Sequence, residues 1–239
     1  GSKAGDVNPY FACMAALGLL AETKNCPITE TEKKAVGRYL DWHTGILLET
    51  DGKMGIYRKK SGKLIYKEKA DSEDGYLGMY LFLMGKYLEK TESTDLPEYW
   101  KKGISLALKK IQSLMQDGIT QVSEENTTVY LMDNLEVWKG LYELEHAGLK
   151  DVQAIREMRN KLQAQIEKLF WDDANQRWRI IENSDLYHQK EFYPDGVAQI
   201  YPLIYEFPVK EKKKQKILYK QFTERFQWQK LNKKRNGFL

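Results

Sequence analysis

Cysteine is scarce in this chain: Cys13 and Cys26 are the only two in 239 residues, one in an apolar stretch and one in a polar loop. Neither a disulfide framework nor a zinc-binding spacing can be built from them. Histidine occurs three times without clustering, and the Asp172-Asp173 loop lacks a complete calcium pattern, so no metal is expected. Charge of one sign is not in surplus: 38 basic residues stand against 34 acidic ones, a net +4, which argues against nucleic acid as a partner. No apolar run approaches the roughly 20 residues that span a bilayer. No Gly/Ser-rich linker or low-complexity stretch divides the chain, which is therefore expected to form one domain over residues 1–239. A phosphate-binding glycine loop, a dinucleotide fingerprint and a nucleophile elbow are all missing, which leaves phosphoryl transfer, hydride transfer and serine hydrolysis without support, and no cofactor is expected. The opening Gly1-Ser2 resembles a remnant of tag removal and leaves room for an export signal or lipid anchor ahead of it, an extracytoplasmic location included.

What the chain has instead is a repeat. Four segments place aromatic and acidic or amide residues at the start of an apolar helical stretch: Asn8-Pro9-Tyr10-Phe11, Asp71-Ser72-Glu73-Asp74-Gly75-Tyr76, Tyr130-Leu131-Met132-Asp133-Asn134-Leu135-Glu136 and Phe192-Tyr193-Pro194-Asp195-Gly196. Measured between Tyr10, Asp74, Asp133 and Asp195, the intervals are 64, 59 and 62 residues. That period suits a helical hairpin with its connection.

Helix signals fill the repeat. Pro9 to about Glu22 is nearly all apolar, with Asn8 as cap and proline at the first position, and reads as an inner helix. Thr29 or Thr31 opens a second, two-faced helix that carries Trp42 and belongs outside. Further helices are expected over about 76–88, 97–115, 132–145, 152–170, 195–205 and 210–225, making eight in four pairs. The run Lys210-Glu211-Lys212-Lys213-Lys214-Gln215-Lys216 reads as the solvated start of the last one. After each outer helix comes an Asp-led excursion, at Asp51-Gly52, Asp117-Gly118 and Asp172-Asp173, with a short β-hairpin expected around 53–66.

If such hairpins are arranged in a ring, equivalent helix starts gather at one end. Acids and aromatics gathered there suit a carbohydrate: sugar rings stack on tyrosine and tryptophan, sugar hydroxyls bond carboxylates, and glycoside hydrolysis uses one carboxyl as acid and another as base or nucleophile. Helix capping explains any single one of these acids as readily, since Asp and Asn satisfy free N–H groups at a helix start.

The pattern resembles the six-hairpin glycosidase superfamily, the (α/α)6 toroids. Asp71-Ser72-Glu73-Asp74-Gly75-Tyr76-Leu77-Gly78-Met79 is similar to the Asp-Asp-x-Tyr-Met-Gly stretch of unsaturated glucuronyl and rhamnogalacturonyl hydrolases. It is also similar to the Ser-Glu-Gly-x-x-Tyr-Gly-Met stretch of family eight cellulases and chitosanases. The first likeness nominates Asp74 and the second Glu73. The segments 130–141 and 192–202 resemble uncharacterised bacterial glycosidase-like proteins of the superfamily. The likeness runs from about Pro9 to Pro208 and implies an all-α toroid of helical hairpins whose inner-helix ends form a sugar-binding cleft. A closed ring of six hairpins at this period needs on the order of 360 residues, and the chain has 239. An open or incomplete ring of about four pairs is therefore expected, and the ending Lys233-Lys234-Arg235-Asn236-Gly237-Phe238-Leu239 shows no closing helix.

The candidate catalytic residues are Asp74, Asp133, Asp195 and Glu73, and the candidate sugar contacts are Tyr10, Asp71, Tyr76, Asn134, Glu136, Tyr193, Gln199 and Trp42. The expected partner is a poly- or oligosaccharide. A non-catalytic sugar-binding protein and a helical-repeat interaction module on the same scaffold remain the alternatives.

Overall fold

The computed structural model describes residues 5–23, 25–61, 63–93, 95–182, 191–209 and 212–227. Gly1-Ser2, the Lys210-Glu211 start of the basic run and the 233–239 ending lie outside them. Eight α-helices are present among the described residues: α1 (Pro9–Leu19), α2 (Glu30–Glu49), α3 (Glu73–Thr91), α4 (Glu98–Leu114), α5 (Leu131–His146), α6 (Gln153–Phe170), α7 (Val197–Ile204) and α8 (Lys212–Phe226). They form four consecutive hairpins. The odd-numbered helices pack on one another in the order α1, α3, α5, α7, and α2, α4 and α6 lie outside them. The fold is all-α, an α/α toroid-type array of helical hairpins with small β-hairpins in its connections.

Local chemistry explains the helix boundaries. The Asn8 side chain accepts from Tyr10 N, and Pro9 occupies a position whose N–H has no helical partner. Thr29 caps α2 in a reciprocal box with Glu32. Ser72 caps α3 by accepting from Gly75 N, and Glu92, left-handed at φ 51°, closes it. Of the Asp-led excursions, Asp117 (φ 51°) and Gly118 (φ 87°) make a two-residue turn between strands β4 (Met115–Gln116) and β5 (Ile119–Thr120). Earlier in the chain, β1 (Asp6–Val7), β2 (Gly55–Lys60) and β3 (Lys63–Lys69) form one antiparallel sheet, so the start of the chain is tied to the α2–α3 connection, with Arg58 ion-paired to Asp6. Strands β6 (Trp171–Asp172) and β7 (Arg177–Trp178) repeat the device after α6.

Position in the array decides burial. Helices α3 and α5 have neighbours on both sides and are buried around most of their circumference, whereas α4 and α6 carry one apolar stripe each. Helix α1 departs from the expectation of a fully inner helix. Its sequence is apolar throughout, yet only Pro9, Cys13 and Ala16 are buried, and Phe11, Met14, Ala15, Gly18 and Leu19 face outward at helical spacing. The reason is its place at the end of the row, where α3 and α2 pack against it and no further inner helix among the described residues covers its other flank. Trp138 is core, stacked on Tyr142 and met edge-on by Phe207.

Candidate functional site

Glycine sets the distance between α3 and α5. A Cβ on Gly78 would lie 2.6 Å from Val137 N, one on Gly85 would lie 2.6 Å from the Glu143 carbonyl carbon, and one on Gly140 would lie 2.3 Å from Gly78 O. The two backbones therefore touch along a seam that no side chain can enter. This brings the acidic first turn of α3 directly against that of α5. At the top of the seam a Cβ on Gly75 would be 2.7 Å from Glu136 Oε2, 2.8 Å from Ser72 Oγ and 3.4 Å from Asp133 Oδ1. Asp133 Oδ1 and Glu136 Oε2 approach the same point and are thus at most about 6 Å apart.

Asp74 is fully buried and fully bonded. Its Oδ1 accepts from Ser72 Oγ (2.8 Å) and Gly75 N (2.9 Å), and its Oδ2 lies 2.7 Å from Thr120 Oγ1. Burial raises its pKa to about 6, a rise held back by the Thr120 and Ser72 hydroxyls and the Gly75 N–H, which favour the ionised form. Asp133 is only partly exposed and lies nearest the rim. Its pKa is raised well above the carboxylate range, first by desolvation and then by the charge of Asp74. Glu136 is buried beneath Tyr10, whose hydroxyl donates to Glu136 Oε1. Tyr205 reaches the same oxygen at 3.5 Å, and Tyr201 meets Tyr10 at 3.3 Å. Its pKa is also raised, by burial and then by Asp133. The starts of α1, α3 and α5 and the body of α7 thus converge on three carboxyls whose charges act on one another.

The remaining sequence candidates sort by distance from this cluster. Tyr76 lies against Tyr10, ring centroids 5.6 Å apart, with Asp71 exposed beside it. Tyr193 is 58% exposed, and Asp133, Asp71 and Glu136 all act on its hydroxyl, so it stands at the mouth. Asn134 is fully buried and is no sugar contact: its amide donates to Thr120 O and Tyr130 O and accepts from Thr120 N, tying β5 to α5. Glu73 turns the other way and pairs with Lys69 at 3.4 Å. Asp195 lies outside the carboxyl cluster, in the wall of a separate cleft of about 550 Å³ with Arg177 and Arg225. Gln199 spends its amide on both backbone groups of Trp178, at 2.8 Å each, because β7 has a single partner strand. Trp42 is set in an aromatic cluster with Tyr39, His43 and Tyr57. His43 itself is buried, held neutral by burial with its pKa lowered to about 3, and its Nδ1 lies 3.3 Å from the Tyr39 hydroxyl.

Sequence reading missed Ser72, Thr120, Tyr201 and Tyr205. The two tyrosines had a signal, four residues apart on one face of α7. The hydroxyls of Ser72 and Thr120 had none beyond their nearness to a cap and a turn.

The raised pKa values fix the sign of one pH effect. A buried carboxyl whose folded pKa exceeds its unfolded value costs nothing when both states are protonated, and begins to destabilise as pH rises past the unfolded pKa. For Asp74 the cost sets in from about pH 4 and is fully present above about pH 6. The melting temperature is expected to rise as pH is lowered from 7 to 5, and Asp74→Asn to flatten that rise. Melting curves of the two proteins across that range check it.

Comparison with known proteins places this geometry on a known scaffold. No family model matches the chain, and no curated protein matches it in sequence. Among solved structures it is similar to a rhamnosidase from Klebsiella oxytoca with rhamnose bound, with a TM-score of 0.58 and 10% identity over 90% of this chain. It is similar also to a glycosidase in which a glutamate is replaced by alanine, with a TM-score of 0.52 and 13% identity over 76% of this chain. The chain spans 40% and 52% of those two chains respectively. The fold is glycosidase-like, and none of the described helices is long and apolar enough to cross a membrane.

Proposed function

We propose that the chain is a single carbohydrate-active domain of the six-hairpin glycosidase type that hydrolyses glycosidic bonds in an oligo- or polysaccharide. The observation that carries this reading is the meeting of Asp74, Asp133 and Glu136 on the α3–α5 seam of a glycosidase-like fold, with tyrosines around them. Asp133 is the proton donor. It is the most exposed of the three, and desolvation together with the Asp74 charge raises its pKa, which favours the protonated form a general acid requires. Glu136 is the partner carboxyl, and Asp74 sets the charge that Asp133 feels. Tyr193 offers ring surface at the mouth, where sugar faces stack, and the buried Tyr76 backs Tyr10 behind it.

Charge narrows the substrate. No ion pair among the described residues involves Asp71, Asp74, Asp133 or Glu136, while the basic residues of the neighbouring hairpin are engaged by other acids, Arg58 by Asp6 and Lys69 by Glu73 and Glu125. A uronate brought into this mouth meets carboxyls that no cation among the described residues pairs with, and a neutral or amino sugar avoids that repulsion.

The test is reducing-end release from neutral, amino-sugar and uronate oligosaccharides, using the unaltered protein beside Asp74→Asn and Asp133→Asn. Cleavage of a neutral or amino sugar that both substitutions suppress is the expected result. Binding without cleavage would instead make this a sugar-binding protein on the same scaffold, and preference for the uronate would overturn the charge argument.

A further inference from the structure

We infer that Thr120 is a positioning residue that allows the buried Asp74 to take up and release a proton without stranding a polar group; the inference deepens the hydrolytic reading of the three carboxyls. The geometry begins with Asn134. Its Nδ2 lies 2.9 Å from two carbonyl oxygens, Thr120 O and Tyr130 O, so this end of the amide must be the donor and the other end, Oδ1, an acceptor. Oδ1 takes the Thr120 N–H at 2.8 Å and also lies 2.8 Å from Thr120 Oγ1. On its other side, Thr120 Oγ1 lies 2.7 Å from Asp74 Oδ2. Thr120 therefore sits between two acceptors with one proton to give.

That shortage defines two complete states. With Asp74 ionised, the threonine hydroxyl donates to Oδ2, and Oδ1 keeps the bonds from Ser72 Oγ and Gly75 N. With Asp74 protonated on Oδ2, the acid donates to Thr120 Oγ1 and the threonine turns its own proton to Asn134 Oδ1, which has room for it. One O–H bond forms at Asp74 and one hydroxyl rotates. Every donor in the pocket keeps an acceptor in both states, whereas a stranded donor ordinarily bars a buried carboxyl from changing charge.

The groups that face Asp74 explain why it needs this freedom. Asp133 and Glu136 approach from α5, Asp71 precedes α3 on its own side, Tyr10 from α1 covers Glu136, and the β4–β5 hairpin contributes Thr120. When Asp133 gives its proton to a leaving oxygen, a second negative charge appears beside Asp74. An Asp74 able to accept a proton from water entering the cleft relieves that repulsion.

The test compares Thr120→Val, which keeps shape and removes the hydroxyl, with Thr120→Ser, which restores it. The carboxyl carbon of Asp74, labelled with 13C, is titrated by NMR in the whole protein without substrate, so the readout does not depend on catalysis. Loss of a donor to the ionised form is expected to raise the Asp74 titration midpoint by about one pH unit or more in Thr120→Val, with Thr120→Ser close to the unaltered protein. The pH profile of cleavage is expected to shift with it, and the shift to vanish in an Asp74→Asn background. An unchanged midpoint in Thr120→Val, or an equal shift in Thr120→Ser, overturns the inference. Far-UV circular dichroism guards against misfolding: if Thr120→Val unfolds while Thr120→Ser folds with a shifted midpoint, the role is structural and the inference fails. A shifted midpoint in a protein that cleaves no glycan keeps the relay and removes the hydrolase.

Discussion

Asp133→Asn is expected to lower glycan cleavage by roughly 10²- to 10⁴-fold, the range over which a positioned general acid contributes, while the protein stays folded. Asparagine has the size of aspartate but no proton to give at the scissile oxygen. The substitution also removes a charge that desolvation and Asp74 both oppose, so its effect on stability should be neutral or favourable above pH 6. Activity and stability therefore move apart, which a merely structural Asp133 would not produce. The same substitution should lower the Asp74 and Glu136 titrations, since Asp133 is the second-largest cause of the raised Glu136 pKa. Reducing-end assays, thermal melts and carboxyl NMR on one preparation decide the matter; equal loss of activity and stability would count against the role.

The largest loss of stability is expected from Gly140→Val. Even the first carbon of the new side chain would lie 2.3 Å from Gly78 O, a backbone atom with no rotamer to escape into, so α3 and α5 must part. Overpacking of this kind costs about 3 kcal/mol or more, which for a chain of this size lowers the melting temperature by roughly 6 to 12 °C. Separation of the seam also pulls Asp133 and Glu136 away from Asp74, so activity should fall further than stability alone explains. Gly45 is the control: it lies in α2 with nothing within 4 Å of its missing Cβ, and Gly45→Ala should stabilise by about 0.5–1 kcal/mol through helix propensity. Parallel thermal melts of the two variants check both signs.

Much of the fold was legible because its signals are local. Caps at Asn8 and Thr29, the Asp117-Gly118 turn and the apolar periodicity of α4 and α6 each follow from a few neighbouring residues, so eight helices in four pairs could be read directly. The seam was less visible, since Gly78, Gly85 and Gly140 become informative only when the two helices face each other. Site residues show the same division. Acids at the starts of α3 and α5 marked the region, but depth separates neighbours: Asp133 faces the rim, while Asn134, one residue and about 100° around the helix later, points into the protein. Gln199 looked like a sugar ligand because an amide suits both jobs, and only the unpaired edge of β7 shows which one it has. Helix α1 misled for a different reason. Composition reports which surface prefers burial, and not whether a neighbour is present to bury it.

That exposed flank of α1 also bears on how the site breathes. The free energy needed to detach a segment scales with what it buries, and α1 is anchored by Pro9, Cys13 and Ala16 where α3 buries twelve residues. Tyr10, the cover over Glu136, rides on α1. The partner carboxyl is therefore shielded from solvent by an inner helix that buries few of its side chains, and a local opening of α1 would expose it at less cost than global unfolding.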